Sequence, residues 1–123
     1  MTIEQHSLKV STTGSAASAT GSGSLALARC KLLAVYVDYH ASAPASTDVT
    51  ISAPGNPAAR TILTITNNAT DGWYFPKEQD MGNTGSAITG SYSHPLIHNN
   101  LLLEIAGADA LTDCVDATIF IEV

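Results

Sequence analysis

The sequence predicts an all-β protein, an antiparallel β-sandwich or jelly roll with a flexible N-terminal segment rich in Ser, Gly and Ala. Three observations predict this class. Short segments alternate apolar and polar residues, Gly, Pro, Asn and Asp separate those segments, and no segment sustains a helical stripe. A chain of 123 residues supports one hydrophobic core. We therefore expect an N-terminal strand and flexible arm at 1–24 and a single β-sandwich domain at 25–123.

The N-terminal region combines one short strand with a segment that has no pattern. Residues Gln5 to Val10 alternate, and Leu8 and Val10 share one face. Residues 11–24, STTGSAASATGSGS, contain only Ser, Thr, Gly and Ala. This composition has no apolar period that would hold a regular element, so it predicts a flexible connection or an extended arm.

The first strand of the domain has the clearest signal. Residues 32–40, LLAVYVDYH, are rich in β-branched and aromatic residues, which favour strands. The opposite face becomes polar toward its end. The alternation predicts one inward face made of Leu33, Val35, Val37 and Tyr39.

Prolines bound the next strand, because proline cannot donate to a β-ladder. Pro44 precedes Asp48 to Ser52, while Pro54 and Pro57 follow it. The inward side chains of this strand are predicted to be Val49 and Ile51.

Two further runs suggest a hairpin. Residues 60–67, RTILTITN, are β-rich, and Asp71-Gly72 is a turn signal that precedes the aromatic residues 73–75. A turn dipeptide between two such runs predicts that they pair with each other.

The C-terminal half continues the pattern. Residues 77–95 are rich in Gly and end on Pro, which predicts a long functional loop with at most a short strand at 87–88. Alternation returns at Leu101 to Ile105 and at 115–123, so the chain contains six to eight strands. A short helical turn within 106–117 is the alternative for that segment. The predicted inward residues are Leu101, Leu103, Ile105, Val115, Ala117, Ile119, Ile121 and Val123.

Composition excludes several classes of partner. Five Lys and Arg against eleven Asp and Glu give a net charge of −6, which repels a phosphate backbone, so direct nucleic-acid binding is not expected. Charged residues make up 13% of the chain, about half the usual share, which indicates that a partner covers part of the surface. No apolar run is long enough for a membrane span, and the first residues lack signal-peptide features. We expect a protein made in the cytoplasm without a membrane partner.

The two cysteines, Cys30 and Cys114, lie in or beside apolar stretches. In a reducing compartment they are expected to be two reduced, partly buried thiols. A disulfide between them is the alternative, and its loop entropy would stabilise the fold by about 4 kcal/mol.

The motifs that carry well-defined chemistry are absent, including G-x-S-x-G, G-x-G-x-x-G, C-x-x-C and H-E-x-x-H. His94 and His98 flank Pro95, and in an extended chain their side chains lie about 13 Å apart, too far to share a metal. The remaining polar clusters are better explained as solvated loops and strand ends. They are Asp109, Asp113 and Asp116, and Asp38, His40 and Ser42. We predict no enzyme activity, no catalytic residue, no cofactor and no metal.

One concentrated aromatic group, Trp73-Tyr74-Phe75, precedes Pro76. Its alternate members would fill the core, or an outward ring would contact a protein or stack on a sugar. The sugar alternative uses Trp73 and Tyr74 as the stacking rings. Carbohydrate sites also need polar groups nearby, and the sequence offers Asn67, Asn68 and Asp71.

Five segments carry a family resemblance: 34–40 (AVYVDYH), 47–51 (TDVTI), 70–76 (TDGWYFP), 109–113 (DALTD) and 117–120 (ATIF). In this order they resemble small proteins encoded among the head and structural genes of tailed bacteriophages. The resemblance covers roughly residues 30 to 123 and implies a virion component, most like a capsid decoration or cement protein with a β-sandwich fold.

The predicted function is therefore a non-enzymatic decoration protein that binds and stabilises a capsid shell. This implies the major capsid protein as partner, a homo-oligomer such as a trimer or dimer, and a location on the capsid surface. The alternatives are a minor head-tail or tail component and a carbohydrate-binding β-sandwich. The candidate contact regions are the arm and the loop 77–95, with candidate contact residues Trp73, Tyr74, Lys77, Tyr92 and His94.

Overall fold

The computed structural model describes residues 1–55 and 58–123 and confirms the all-β, antiparallel sandwich. This part of the chain contains eleven strands, more than the six to eight expected, because three strands have only two to four residues. In chain order they are β1 (Ile3–Val10), β2 (Ala19–Ala26), β3 (Cys30–Tyr39), β4 (Asp48–Ala53), β5 (Arg60–Ile65), β6 (Gly72–Tyr74), β7 (Glu78–Met81), β8 (Ala87–Ser93), β9 (Leu96–Ile97), β10 (Asn100–Ala108) and β11 (Val115–Glu122).

Two sheets enclose the core. The front sheet has the order β1-β11-β3-β6, with β9 also paired to β3, and the back sheet has the order β2-β10-β4-β5. Strands β7 and β8 form a separate two-stranded hairpin. Neighbours in sequence such as β2 and β3 belong to different sheets, so the chain crosses between the two layers, as in other Greek-key and jelly-roll sandwiches.

The core lies between the two sheets and is made of the inward residues of four strands. Most of them are at most 2% exposed, and burying such a side chain stabilises the fold by roughly 1.5–3 kcal/mol. The predicted inward faces of β4, β10 and β11 are thereby confirmed, except that Val123 follows the end of β11 and is 49% exposed. The largest fully buried side chains are Leu32, Val35, Val37, Val49, Ile51, Leu101, Leu103, Ile105, Val115, Ile119 and Ile121 of these strands, together with Ile97 of β9.

The predicted inward face of β3 is wrong at Leu33. In the pairing with β11, Phe120 lies opposite Ala34 and Ile121 lies opposite Leu32. Leu33 is therefore an extra residue on β3, a β-bulge, and it is only partly buried. Before the bulge the inward residues are Cys30 and Leu32, and after it they are Val35, Val37 and Tyr39, as predicted.

The predicted flexible arm at 11–24 is wrong for its second half. Residues 19–24 belong to β2, which pairs with β10 along most of its length, and Thr13 and Thr20 form an additional bridge. The domain boundary placed between residues 24 and 25 falls inside this strand. Backbone hydrogen bonds need no apolar side chain, so this composition did not exclude a strand.

Glycine in β2 has a steric role. A Cβ atom on Gly21 would lie 2.2 Å from the carbonyl oxygen of Ser11, and one on Gly23 would lie 2.9 Å from Cγ2 of Val10. The small residues of β2 therefore allow the back sheet to approach the N-terminal strand of the front sheet closely.

The predicted hairpin between residues 60–67 and 73–75 is wrong. β5 pairs with β4 in the back sheet, whereas β6 pairs with β3 in the front sheet, and Gly72 belongs to β6 instead of a turn. The chain crosses between the sheets after β5. Asn67 N donates to Asp48 Oδ1 at 2.8 Å and Asn68 N donates to Thr47 O at 3.0 Å, which hold the crossing segment in place.

The predicted loop at 77–95 contains more strand than expected. β7 and β8 pair as a hairpin, and the strand expected at 87–88 extends to Ser93. Asp80 accepts hydrogen bonds from Ser91 Oγ and Ser93 Oγ, both at 2.6 Å. These two bonds lower the pKa of Asp80, since they favour its charged form. The hairpin is thus held by side chains as well as by its ladder.

Pro57, which was expected to bound β4, lies outside the described residues. The helical turn considered within 106–117 is absent, and β10 and β11 occupy residues 106–108 and 115–117 of that segment. No helix that meets the length and hydropathy of a membrane span occurs among residues 1–55 and 58–123.

The close approach at β2 makes a testable prediction. Gly21→Ala places a methyl group against the Ser11 carbonyl, so we expect it to destabilise the fold by about 3 kcal/mol, as for other overpacked sites. Ser22→Ala is the matched control because Ser22 is the next residue of β2 and is exposed, and it should change stability by less than about 0.5 kcal/mol. Urea unfolding of both variants measures the difference. Equal stabilities would show that β2 does not pack against the N-terminal strand as described.

Candidate functional site

The outer face of the front sheet carries the candidate site. Side chains alternate across this sheet, so the residues between the buried ones point away from the core. The register places Ser7, Thr118, Tyr36 and Trp73 in one row across β1, β11, β3 and β6. The neighbouring row contains Gln5, Phe120 and Ala34.

Four aromatic side chains meet on this face, and we call them the aromatic platform. They are Tyr36, Trp73, Phe75 and Phe120. The ring centroid of Trp73 lies 5.0 Å from that of Tyr36 and 5.4 Å from that of Phe120. Trp73 and Phe75 are nearly parallel, with an interplanar angle of 12° and a centroid distance of 6.3 Å. These separations are typical of favourable aromatic contacts.

The platform is open to solvent. Trp73 is 54% exposed and Phe75 is 65% exposed, although both carry large apolar surfaces. Tyr36 and Phe120 are partly buried beneath and beside Trp73. An exposed cluster of this kind on a sheet face indicates a surface that binds another molecule.

Tyr74 does not belong to the platform. It lies between Trp73 and Phe75 on the other side of β6, where it packs against the core. Its hydroxyl accepts a hydrogen bond from Asn68 Nδ2 at 3.2 Å. Side chains therefore alternate along residues 73–75, with Trp73 and Phe75 outward and Tyr74 inward. The prediction that Trp73 and Tyr74 are both stacking rings of one sugar site is wrong.

Carboxylates border one end of the platform. We call Asp38, Asp71 and Asp116 the acidic border. Asp38 and Asp116 are cross-strand partners one row beyond Tyr36 and Thr118. Asp116 accepts a hydrogen bond from Ser7 Oγ at 2.8 Å, and Asp71 accepts one from the backbone N–H of Tyr39 at 2.7 Å.

The acidic border perturbs Asp38. Desolvation, the charge of Asp71 with a hydrogen bond to it, and then the charge of Asp116 raise the pKa of Asp38. Neighbouring negative charges disfavour ionisation, so the acidic border favours the protonated form of Asp38.

A cleft lies beyond the other end of the platform. Its volume is about 420 Å³, and it is lined by Lys31, Lys77, Tyr92, Ser93, His94 and Leu96. Lys77 Nζ lies 3.4 Å from His94 Nε2. Three of the five predicted contact residues, Lys77, Tyr92 and His94, are thus brought together. Of the other two, Trp73 lies on the platform and Tyr74 packs against the core.

The other sequence candidates occupy structural positions. Cys30 and Cys114 are both buried and free, as expected, and burial raises the pKa of each thiol, which makes it a poor nucleophile. His40 Nδ1 accepts a hydrogen bond from the backbone N–H of Ser42 at 3.0 Å. No cluster of three or more His, Cys, Asp or Glu residues suited to a metal occurs in the described ranges.

Asp109 and Asp113 stabilise the N-terminal segment. Asp109 Oδ1 accepts a hydrogen bond from Ala17 N at 2.8 Å, and Asp113 N donates to Ser11 Oγ at 3.0 Å. Asp116 belongs to the acidic border instead. The three aspartates therefore serve different contacts.

Sequence analysis did not identify Tyr36 and Phe120 as site residues. Both were assigned to the face of their strands opposite the core. The available signal was an aromatic residue at an outward position on each of two strands, where polar residues are usual. Their approach to Trp73 depends on strand order, which alternation does not reveal.

No protein-family model matches the sequence, and no curated protein is significantly similar to it. Solved structures of similar architecture include the family 32 carbohydrate-binding module of C. perfringens NanJ in complex with galactose, with a TM-score of 0.43, 9% identity and coverage of 96% of this chain and 93% of that chain. The family 32 module of AlyQ in complex with 4,5-unsaturated mannuronic acid gives a TM-score of 0.33, 9% identity and coverage of 96% and 76%. A mutant of a family 29 carbohydrate-binding module gives 0.38, 10% identity and coverage of 98% and 81%. These low scores and identities assign no ligand or binding residue to this chain.

The electrostatics of Asp38 make a testable prediction. Because its pKa is raised in the folded state, the stability that depends on its protonated form is present at low pH and lost as pH rises through the folded-state pKa. Asp38→Asn keeps the side chain neutral, so we expect a higher Tm than wild type at about pH 7 and an equal Tm at about pH 3. Thermal unfolding followed by circular dichroism measures this.

Glu104→Gln is the control for Asp38→Asn. Glu104 is an exposed carboxylate on the outer side of β10, in the back sheet, so its neutralisation should not reproduce the effect. A lower Tm for Asp38→Asn at about pH 7 would contradict the described repulsion within the acidic border.

Proposed function

We propose that this protein is a non-catalytic carbohydrate-binding β-sandwich whose ligand stacks on the aromatic platform. The observation that carries the proposal is the exposure of Trp73 and Phe75, 54% and 65%, on a sheet face that also presents carboxylates. Sugar rings combine an apolar C–H face with hydroxyl groups at their edges. An aromatic surface beside hydrogen-bond acceptors is complementary to both.

The platform provides the stacking surface. Trp73 is supported by Tyr36 and Phe120, with centroid distances of 5.0 and 5.4 Å, so its orientation is restrained before a ligand binds. A preformed ring loses little conformational freedom on binding, which favours affinity. Phe75 extends the apolar surface in a nearly parallel orientation.

The acidic border provides acceptors for sugar hydroxyl groups. Asp38 and Asp116 lie one row from Tyr36 and Thr118 on the same face. Ser7 restrains Asp116 through its 2.8 Å hydrogen bond. Hydrogen bonds from a hydroxyl to a charged carboxylate are stronger than those between neutral groups, so this edge would orient a ring that stacks on Trp73.

The geometry favours binding over hydrolysis. Glycosidases use two carboxyl groups at least about 5 Å apart, on either side of the scissile bond. Asp38 and Asp116 are cross-strand partners, so they lie side by side at one edge of the platform and do not flank a bound glycosidic bond. Both border an open sheet face, where water is not excluded from a bound ligand.

A protein-binding function is the second candidate. On the β7–β8 hairpin, Met81 is 60%, Ile88 is 47% and Tyr92 is 56% exposed, and such apolar residues favour a protein contact. The capsid-decoration role, with its major capsid protein partner, homo-oligomer and virion location, stays a prediction. Quantitative mass spectrometry of purified particles checks it, since a decoration protein is expected at a simple ratio to the shell subunit.

The carbohydrate proposal is tested with a panel of neutral and acidic oligosaccharides. Trp73 is the chain's one tryptophan, so a sugar that stacks on it should change the protein's tryptophan fluorescence. We expect Trp73→Ala to weaken binding of the same sugar at least about tenfold in calorimetry, corresponding to about 1.4 kcal/mol. Its circular dichroism spectrum and Tm are measured alongside to show that the variant is folded, because the substitution also removes the contacts of Trp73 with Tyr36 and Phe120.

Met81→Ala is the matched control. Met81 is also an exposed large apolar residue, but it belongs to β7 in the separate hairpin. This variant should bind the sugar as the wild type does. Absence of binding across the panel, or equal binding by Trp73→Ala, would contradict the proposal.

A further inference from the structure

We propose that the ligand is an acidic oligosaccharide whose carboxylate binds Lys31 and Lys77, beyond the end of the aromatic platform opposite the acidic border. This inference rests on the proposed carbohydrate-binding function and adds the chemical class of the ligand. It follows from the distribution of cations, from the register of β3 and from the absence of internal partners for the two lysines.

Positive charge is concentrated at one end of the sandwich. The chain has five Lys and Arg residues, and four of them line three clefts that share Leu96. His94 and His98 line the same clefts. Glu122, the cross-strand partner of Lys31, also lines one of these clefts. The four Lys and Arg residues outnumber it, so in a chain with a net charge of −6 this is the region that favours an anion. The four residues are Arg29, Lys31, Arg60 and Lys77.

The register of β3 connects this region to the platform. Cys30 and Leu32 point into the core, so Lys31 points outward with its cross-strand partners Glu122 and Leu96. The row of Phe120 and Ala34 separates this row from Tyr36. The partners of Lys31 and Tyr36 on β11, Glu122 and Thr118, are four residues apart, a distance of about 13 Å. One extended ligand would reach both.

The two lysines are available for a ligand. Arg60 is already engaged, because its guanidinium contacts Glu78 Oε1 and the carbonyl oxygen of Leu96. In the part of the chain that the structure describes, neither Lys31 nor Lys77 has a carboxylate within ion-pair distance. Lys77 approaches His94 instead. A ligand carboxylate in the 420 Å³ cleft would therefore form charge-assisted hydrogen bonds that the protein itself does not supply.

The acidic border restricts the kind of anion. A polymer with a charge on every unit would place negative groups next to Asp38 and Asp116 while it lies on the platform. An oligosaccharide with neutral units and a carboxylate at one end, or at intervals, avoids this repulsion. Nucleic acids, with their regular phosphate charges, do not fit.

Matched pairs of sugars test the inference. Sialyllactose, hyaluronan oligosaccharides and partly esterified oligogalacturonides would each be compared with the same sugar after full methyl esterification, which removes the charge. We expect at least one acid to bind at least about tenfold tighter than its ester, and this preference to weaken with added salt. The double variant Lys31→Gln/Lys77→Gln should lose the preference and still bind the ester as wild type does.

Lys9→Gln is the charge-matched control. Lys9 is the fifth cation, and it pairs with Asp116 on β11 at the acidic end of the same sheet. Its removal should leave the preference intact. If Trp73-dependent binding occurs but acids and esters bind equally, or if the double variant keeps the preference, the inference is wrong and the carbohydrate function stands.

Two further outcomes would assign the cleft to a different partner. Equal binding of a poly-glutamate peptide, independent of Trp73, would identify an acidic protein segment as the ligand and overturn the inference. Salt-sensitive self-association that the double variant abolishes would identify a second copy of the chain and overturn it as well. If the wild-type protein binds neither the acidic sugars nor their esters, the carbohydrate function itself is contradicted.

Discussion

The pairing of β11 between β1 and β3 is the interaction on which the rest of the structure depends. β11 is hydrogen-bonded on both sides along its whole length, and its residues alternate between buried and partly buried. Because the side-chain period of a strand is two, this register fixes both faces of the sheet at once. The pairing that buries Ile119 also presents Phe120 to Trp73. Core and platform are therefore two consequences of one register.

Local alternation was sufficient to predict much of the fold. The inward faces of β4, β10 and β11 were predicted correctly because each depends only on which residues follow one another. The pairing of strands depends on distant parts of the chain. The chain crosses from the back sheet to the front sheet after β5, so β6 pairs with the edge of β3 and not with β5. β2 was missed since its glycines serve close packing, which has no apolar period.

The same distinction explains which site residues were predictable. Trp73 was identified because aromatic residues are rare in this chain, and its outward orientation follows from alternation within β6. Tyr36 and Phe120 join it only through the strand order β11-β3-β6. The proximity of Asp38 and Asp71 likewise depends on β6 lying next to β3. A single sequence shows that these residues are present, but it does not show which strands pair and so bring the residues together.

The bulge at Leu33 decides which side of the sheet carries charge at the end of β3. Residues 35, 37 and 39 point into the core, so an uninterrupted strand would direct residue 31 inward as well. The extra residue reverses the phase, which turns Cys30 and Leu32 into the core and leaves Lys31 on the outer surface. The same residues in unbroken alternation would place the ammonium group of Lys31 between the two sheets. The position of a surface charge thus depends on an irregularity of the backbone three residues before Tyr36, the first aromatic residue of the platform.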